Sequence, residues 1–251
     1  MTGSARIAAR RMGLRCTSML ARLRGQQCIH LLHIRKTGGT AVKHALKDHP
    51  TNHRYRIFLH PHAITLSDIP RGQGVIFFLR DPIARFISGF NSRKRQGRPT
   101  YYVPWGPEER IAFENFDTPN ALAMALYCDD PEQRAKAEFA MNNIRHVRHT
   151  YLTWFKSEEY FLSRLNDITF IGFQESLAED FELLKRKLDL PAHLVLPTDE
   201  VRAHRTPGHF DQTLEPAAQS NLRRWFDRDY QFLELCRQHA PRINQMGLQA
   251  V

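Results

Sequence analysis

Short apolar runs alternate with helical segments along this chain, and this alternation limits the possible folds more than any other feature. Four apolar runs have the composition of buried strands, at residues 28–33, 54–59, 74–79 and 168–173. Segments of helical composition lie at residues 40–47, 82–95, 118–128, 131–140, 175–188 and 216–239. Strands that alternate with helices form a mostly parallel sheet with helices on both faces. The sequence therefore predicts an α/β fold.

The length of the chain fits one globular domain. Its 251 residues are 42% hydrophobic and 10% aromatic, which is enough for one sizeable core. We expect a basic N-terminal segment at residues 1–27 and one α/β domain over residues 28–251. The N-terminal segment is rich in arginine and has no acidic residue. This composition fits an amphipathic transit or membrane-surface segment, and it fits equally a basic tail before the first strand.

The charge and the cysteines exclude few classes of function. The formal net charge of +10 favours anionic ligands, but nucleic acid, acidic glycan, a membrane surface and a nucleotide all qualify. The four cysteines lack any CxxC pair, which predicts reduced thiols rather than a zinc cluster; they are Cys16, Cys28, Cys128 and Cys236. No apolar run approaches the roughly 18 residues of a membrane span. We therefore expect a soluble, cytoplasmic protein.

The segment HIRKTGGT, at residues 33–40, lies between a predicted strand and a predicted helix. Its glycines let the backbone approach an anion, the helix N-terminus attracts the anion, and Lys36 adds a mobile charge. Because Lys36 precedes the glycines, the order differs from the GxxxxGK[ST] loop of nucleoside triphosphatases. By itself the segment is either a phosphate cradle or a plain strand-to-helix turn.

A second motif, FFLRDPIARFISGF at residues 77–90, also joins a strand to a helix. It places Arg80 at the carboxyl end of the strand and Ser88 two turns into the helix. Both side chains can then reach one anion beside the point where the strand order of the sheet reverses. The presence of this second motif favours the phosphate cradle over a plain turn as the interpretation of residues 33–40.

The pair of motifs resembles the two signatures of sulfotransferases that depend on 3′-phosphoadenosine 5′-phosphosulfate (PAPS), in the carbohydrate (heparan and chondroitin) branch. In that family an HIPKTGGT loop binds the 5′-phosphosulfate, and an RDPxxRxxSxY/F motif binds the 3′-phosphate. This chain has HIRKTGGT, with Arg35 in the proline position, and RDPIARFISGF. A weaker likeness continues through TFIGFQESLAEDFELLKRKLDL and LPTDEVRAHRTP, so that it covers roughly residues 30–238.

The resemblance implies a P-loop-like strand, loop and helix and assigns roles to its residues. Lys36 would contact the 5′-phosphate and the bridging oxygen, in a cradle completed by Arg35, Thr37, Gly38, Gly39 and Thr40. Arg80 and Ser88 would hold the 3′-phosphate. Arg205, with His204 and Thr206, would close this second site unless the segment is a solvated loop. Arg85 has a weaker claim, because it could instead tie its helix to neighbouring acids, and Asp81 is expected to be a structural partner of the loop or of Arg85.

Two histidines in LHPHAIT, at residues 59–65, are candidates for the base that takes the proton of the acceptor. Histidine titrates near working pH. His62 matches a histidine that precedes alanine in the family (KHATA), and His60 would share its face if the segment is extended. With 13 histidines in the chain, either one could equally be structural.

The resemblance predicts a sulfotransferase that needs no metal. It would move a sulfuryl group from PAPS to a hydroxyl or amine of a carbohydrate or glycoconjugate and release adenosine 3′,5′-bisphosphate. We expect a bacterial protein without a nucleic-acid partner, in weak contact with a membrane surface at most through its basic N-terminus. Its oligomeric state is open.

Two other functions stay open at this stage. An ATP-dependent small-molecule kinase would share the phosphate cradle, although it also needs carboxylates for Mg²⁺ and only Asp81 lies close to either motif. A non-catalytic binder of polyanions or nucleic acid would use the basic charge and the aromatic side chains of the loop at residues 96–106. Its arginines, however, are scattered rather than clustered.

Overall fold

The computed structural model describes residues 21, 23–197 and 213–246. At its centre four strands form one sheet: β1 (Gln27–Leu32), β2 (Tyr55–Leu59), β3 (Gly74–Leu79) and β4 (Ile168–Phe173). Their order is β2-β1-β3-β4, and every neighbouring pair is parallel. The short apolar runs form a parallel sheet because both of its faces are covered. The predicted α/β class is confirmed.

Helices cover the sheet on both faces within the described residues. They are α1 (Gly39–Leu46), α2 (Pro82–Lys94), α3 (Pro107–Asn115), α4 (Pro119–Ala125), α5 (Pro131–Asn143), α6 (Leu152–Phe155), α7 (Glu158–Leu162), α8 (Leu177–Lys187), α9 (Pro216–Trp225) and α10 (Asp227–Gln245). Five of these helices have proline in the first turn, where its missing N–H costs no helical hydrogen bond.

Alternate side chains of β3 enter different parts of the core. Phe77 packs with Trp154 and Phe232 under α6, α7 and α10. Its neighbour Phe78 points to the opposite face, where α1 and α8 supply Val42, Leu46, Phe181 and Leu184. This alternation follows from the two-residue period of a strand. A third cluster joins α2 to the outer helices α3, α4, α5 and α9.

Three helices were absent from the predictions, namely α3, α6 and α7. Each buries few side chains, so its sequence lacks a clear apolar stripe: in α3 only Glu109, Ala112 and Phe113 are buried. The helix that follows β4 also begins later than predicted, because residues Gln174–Ser176 form a 3₁₀ turn before α8. Tertiary packing, rather than local periodicity, stabilises these short elements.

The strand order determines where a ligand can bind. From β1 the chain moves to β2 on one side and returns to β3 on the other, so the loops after β1 and β3 diverge. Open α/β sheets bind ligands in the crevice at such a reversal, outside the carboxyl ends of the strands. Within the described ranges, no helix combines the length and apolarity needed to cross a bilayer.

Candidate active site

A cavity of about 1170 Å³ opens at the carboxyl edge of the sheet, where the loops after β1 and β3 diverge. It is larger than a typical small-molecule pocket, so it has room for a nucleotide and part of a second molecule. Eight of the predicted site residues line it: Arg35, Lys36, Gly38, Gly39, Thr40, His62, Arg80 and Ser88. Arg205, like His204 and Thr206, lies outside the described residues.

The loop after β1 turns sharply into α1. Lys36 and Gly38 both have left-handed backbones, with φ of 65° and 83°. A Cβ atom on Gly38 would lie 3.0 Å from Leu177 Cδ2, and one on Gly39 would lie 2.7 Å from His33 Cδ2. Only glycine fits both positions easily. The turn leaves the first N–H groups of α1 without helical partners, which makes this helix start suitable for an anion.

The two threonines of the loop differ in their surroundings. The Thr37 hydroxyl donates to the carbonyl oxygen of Ile34 at 3.2 Å, and the residue is 1% exposed. Its side chain therefore supports the turn and does not line the cavity, where the sequence had suggested a hydroxyl ligand. Thr40 does line the cavity, with its hydroxyl 3.4 Å from His33 Nε2.

Lys36 stands in a positively charged environment. Burial lowers the pKa of its amine to about 7, and repulsion from Arg95 and Arg80 acts in the same direction. Among the described residues no carboxylate forms an ion pair with Lys36. A buried amine surrounded by cations is a site where an anion would be stabilised, because an anion would offset both burial and repulsion.

Arg80 is held by its backbone while its side chain faces the cavity. The buried Tyr151 hydroxyl donates to the Arg80 carbonyl oxygen and accepts from the Arg80 N–H. The Arg80 Nε is buried and has no hydrogen-bond partner in the part of the chain that the structure describes. Burial lowers the pKa of the guanidinium, while Glu175 opposes the shift. A buried donor of this kind requires a partner, and an anion can supply it.

Asp81 and Arg85 have structural roles. The Asp81 carboxylate caps α2 by accepting from Ala84 N at 2.8 Å, and it accepts from the Tyr230 hydroxyl at 2.9 Å. Arg85 pairs with Asp229 at 2.8 Å in the core. Asp81 was expected to be a structural partner of the loop or of Arg85. It has a structural role in the turn before α2 and does not pair with Arg85, because α10 provides the carboxylate for that arginine.

His62 lies in the cavity in a form suited to accept a proton. Its Nδ1 is 2.9 Å from the carbonyl oxygen of His33, and a carbonyl can only accept, so Nδ1 carries the hydrogen. The lone pair is then on Nε2. The Trp154 indole holds the backbone of the same residue by donating to the His62 carbonyl at 2.9 Å. Burial, followed by the positive charge of Arg35, lowers the pKa of His62 to about 4.

His60 is buried outside the cavity. Its Nε2 is 2.9 Å from His30 Nδ1, and His30 Nε2 is 2.6 Å from the side-chain oxygen of Gln73. The segment turns at Pro61, where Ile64 N donates to the Pro61 carbonyl oxygen at 3.2 Å. The segment is therefore not extended, and the condition under which His60 would share a face with His62 is not met. The structure favours His62 over His60 as a candidate base.

Several cavity residues were not predicted. Tyr101 and His146 lie on the side of Arg35, with the Tyr101 hydroxyl 3.2 Å from His146 Nε2. Burial lowers the pKa of His146 well below its usual range. The aromatic loop at residues 96–106 was a signal for Tyr101, but nothing in the surrounding sequence distinguished His146. The cavity is also lined by Gln174 and Glu175 of the 3₁₀ turn before α8 and by Leu177 of α8 itself.

The described residues contain no group of three or more His, Cys, Asp or Glu side chains arranged to hold a metal ion. Cys28 and Cys236 are buried, and Cys128 is partly exposed, while Cys16 lies outside the described residues. None of the three described cysteines lines the cavity.

Comparison with known proteins identifies the family. A search of curated proteins and a search of solved structures each found no match. The family model described as the sulfotransferase family matches residues 22–235, which is most of the 251-residue chain and includes all the predicted cavity residues. The chain therefore belongs to the sulfotransferase family, and this membership supports sulfuryl transfer as its general activity.

Proposed function

We propose that this chain transfers a sulfuryl group from PAPS to a hydroxyl or amine of a carbohydrate or glycoconjugate. One observation carries the proposal: a single cavity contains two cationic groups from different strand ends, Lys36 and Arg80, together with the neutral imidazole of His62. The two cations would match a donor that has two separate anionic groups. The imidazole would take the proton that the acceptor must lose.

The residues of the cavity fit the two anionic ends of PAPS. Lys36 and the N–H groups at the start of α1 would hold the 5′-phosphosulfate, since both glycines allow a close approach. Arg80 and Ser88 would hold the 3′-phosphate, which would satisfy the buried Arg80 Nε. Arg205 remains a predicted third ligand of that phosphate. Arg35 lines the same cavity, close to the charges of Arg145 and Arg148, and would add positive charge there for either substrate.

PAPS supplies a sulfuryl group already attached to a good leaving group. His62 Nε2 takes the proton of the acceptor hydroxyl while the acceptor oxygen bonds to sulfur and the bond from sulfur to the bridging oxygen breaks. The electrons of that bond remain on the bridging oxygen, and the Lys36 ammonium stabilises the charge there. The rest of the cavity aligns the two molecules, as in-line transfer requires.

The low pKa of His62 suits this role once the donor is present. In the free protein burial and Arg35 keep the imidazole neutral at pH 7, so its lone pair is available. The negative charge of a bound donor would raise the pKa of His62 toward neutrality. A base whose pKa lies nearer the working pH accepts a proton more effectively.

The direct test is a transfer assay with PAPS labelled in the sulfuryl group. The acceptors are saccharides, phenols and alkylamines, and γ-labelled ATP serves as an alternative donor in parallel. We expect labelled saccharide from PAPS and no transfer from ATP. Transfer only to phenols would contradict the acceptor class, and phosphoryl transfer from ATP would contradict the donor.

A further inference from the structure

The aromatic loop at residues 96–106 is anchored to α2 through a buried ion pair. The Arg93 guanidinium binds both oxygens of Glu109 at 2.7 Å and donates to the carbonyl oxygens of Val103 and Pro104 at 3.2 Å. The Trp105 indole returns a hydrogen bond to the Arg93 carbonyl at 2.6 Å. A buried, fully engaged arginine of this kind fixes the loop rather than leaving it to move.

The anchored loop presents the ring of Tyr101 to the cavity. The ring packs on Gly97, where a Cβ atom would lie 2.1 Å from Tyr101 Cε2, and the φ of Gly97 is 87°. The phenol oxygen is 3.2 Å from His146 Nε2. Nevertheless 37% of Tyr101 remains exposed, and it lines the cavity. The chain therefore uses a glycine, a histidine and a buried ion pair to hold one aromatic ring at this wall.

Tyr101 and its hydrogen-bond partner His146 line the same cavity as His62. The hydroxyl partner of Tyr101, His146, is close enough to Lys36, Arg35 and His62 for their charges to lower its pKa, although burial is the larger cause. Leu177 of α8 and Gln174 of the turn before it lie against Gly38 in the loop after β1. Tyr101 therefore lines the cavity that also contains the candidate base, and the acceptor must enter this cavity to reach His62.

We propose that Tyr101 is an acceptor-binding residue whose ring stacks on the C–H face of a sugar ring, with its orientation fixed by His146 and Gly97. The inference rests on the proposed function and names the residue that selects its acceptor. A sugar ring has an apolar C–H face and a polar edge. The flat ring of Tyr101 matches the face, and the Arg35 guanidinium, which lines the same cavity, can donate to hydroxyl groups at the edge.

Saturation-transfer difference NMR tests this inference without knowledge of the natural acceptor. The probes are the methyl β-pyranosides of glucose, galactose and N-acetylglucosamine, with sorbitol as an acyclic polyol, all in the presence of saturating adenosine 3′,5′-bisphosphate. We expect saturation of the ring C–H protons of at least one pyranoside and none for sorbitol. The affinity for that pyranoside should fall about 2- to 12-fold in Tyr101→Ala and in Tyr101→Leu.

Tyr101→Phe should keep most of the affinity because it keeps the ring. Tyr102→Ala is the matched control: Tyr102 is 55% exposed, lies beside the Arg98 guanidinium and does not line the cavity. Equal affinity in Tyr101→Leu and the wild type, or no pyranoside signal in the wild type, overturns the inference. Binding of adenosine 3′,5′-bisphosphate is measured separately. If the wild type does not bind this nucleotide, the proposed function is contradicted. If it binds the nucleotide but the pyranoside results fail, only the role of Tyr101 is contradicted.

Discussion

Lys36 combines two unfavourable features that a structural lysine would not need. Its backbone is left-handed, with φ of 65°, which costs about 1–3 kcal/mol in a non-glycine residue. Burial and two nearby arginines also lower the pKa of its amine to about 7. Strain and a shifted pKa at one residue are typical of functional sites, because binding of a ligand compensates them.

Replacing Lys36 should affect the reaction more than the fold. Lys36→Ala should lower kcat by about 10² to 10³, since one electrostatic contact to the departing oxygen is lost. It should not lower the free energy of unfolding, because it removes a buried amine that two arginines repel, while the left-handed backbone is strained with alanine as it is with lysine. The matched control is Lys47→Ala, whose side chain is 55% exposed just after α1. Near-normal turnover by Lys36→Ala would exclude Lys36 from the mechanism.

Alanine variants of the two histidines in residues 59–65 should have different effects. His62→Ala should lower turnover by about 10² to 10⁴, while its affinity for adenosine 3′,5′-bisphosphate stays near that of the wild type. His60→Ala should keep most of the activity but unfold at lower denaturant, because it leaves His30 Nδ1 without its partner.

The pH profile provides the second measurement on His62. A protonated imidazole cannot accept a proton, so kcat/KM of the wild type should fall as pH falls through the pKa of the free enzyme, about 4 for His62. His62→Ala should lack this acidic limb. An inactive His60→Ala beside an active His62→Ala with an unchanged profile would reverse the assignment.

At the scale of elements, local motifs were predictable and distant contacts were not. Residues 74–79 and 168–173 were predicted as strands and form β3 and β4 with the same bounds. Each is a short apolar run between turn residues, so its signal is local. The partner of Arg85 was missed, because Asp229 is brought to it from α10 by tertiary packing alone.

The buried pair of Arg85 and Asp229 should stabilise the joint between α2 and α10. Both side chains are at most 2% exposed, and Asp229 also accepts from Tyr151 N at 2.8 Å. Asp229→Ala would leave the Arg85 charge uncompensated, which costs about 3–5 kcal/mol of unfolding free energy. Urea unfolding measures the loss, with Arg228→Ala on the exposed side of α10 as control. A loss below about 1 kcal/mol would show that the pair is not needed for stability.

At the scale of the whole molecule, buried neutral histidines should make the fold sensitive to acid. Burial is the main cause that lowers the pKa of His30 to about 3, and of His60, His62 and His149 to about 4. In the unfolded chain these groups titrate near 6.5. Below that pH the unfolded state binds more protons than the folded state, so stability falls as pH falls from about 6.5 toward 4.

Urea unfolding at pH 7, 6 and 5 would measure this effect. The urea midpoint should decrease at each step. The free energy of unfolding should fall by up to about 1.4 kcal/mol per pH unit for each histidine that stays neutral in the folded state. His30→Gln, which removes one of these groups, should reduce the slope. A midpoint that is constant between pH 7 and pH 5 would contradict the neutral, buried state of these side chains.

Only part of the candidate site could be predicted from the sequence. The net charge of +10 indicated an anionic ligand but not its location, because most basic side chains lie far from one another in sequence. The two loops at the carboxyl edge could be predicted, since each is one continuous segment. The positions of Tyr101 and His146 could not, because they come from separate segments that only the fold brings into one cavity with Arg35 and His62.

The central claim is that the cavity has two anionic subsites, one of them for a 3′-phosphate. Calorimetric titration with adenosine 3′,5′-bisphosphate and adenosine 5′-monophosphate tests it, because the two ligands differ only in that phosphate. A charged hydrogen-bonded contact contributes about 1.5–3 kcal/mol, so the bisphosphate should bind roughly 10- to 150-fold more tightly. Arg80→Ala should remove most of this preference and leave the affinity for the monophosphate nearly unchanged. Equal affinities of the wild type for the two nucleotides would contradict the account.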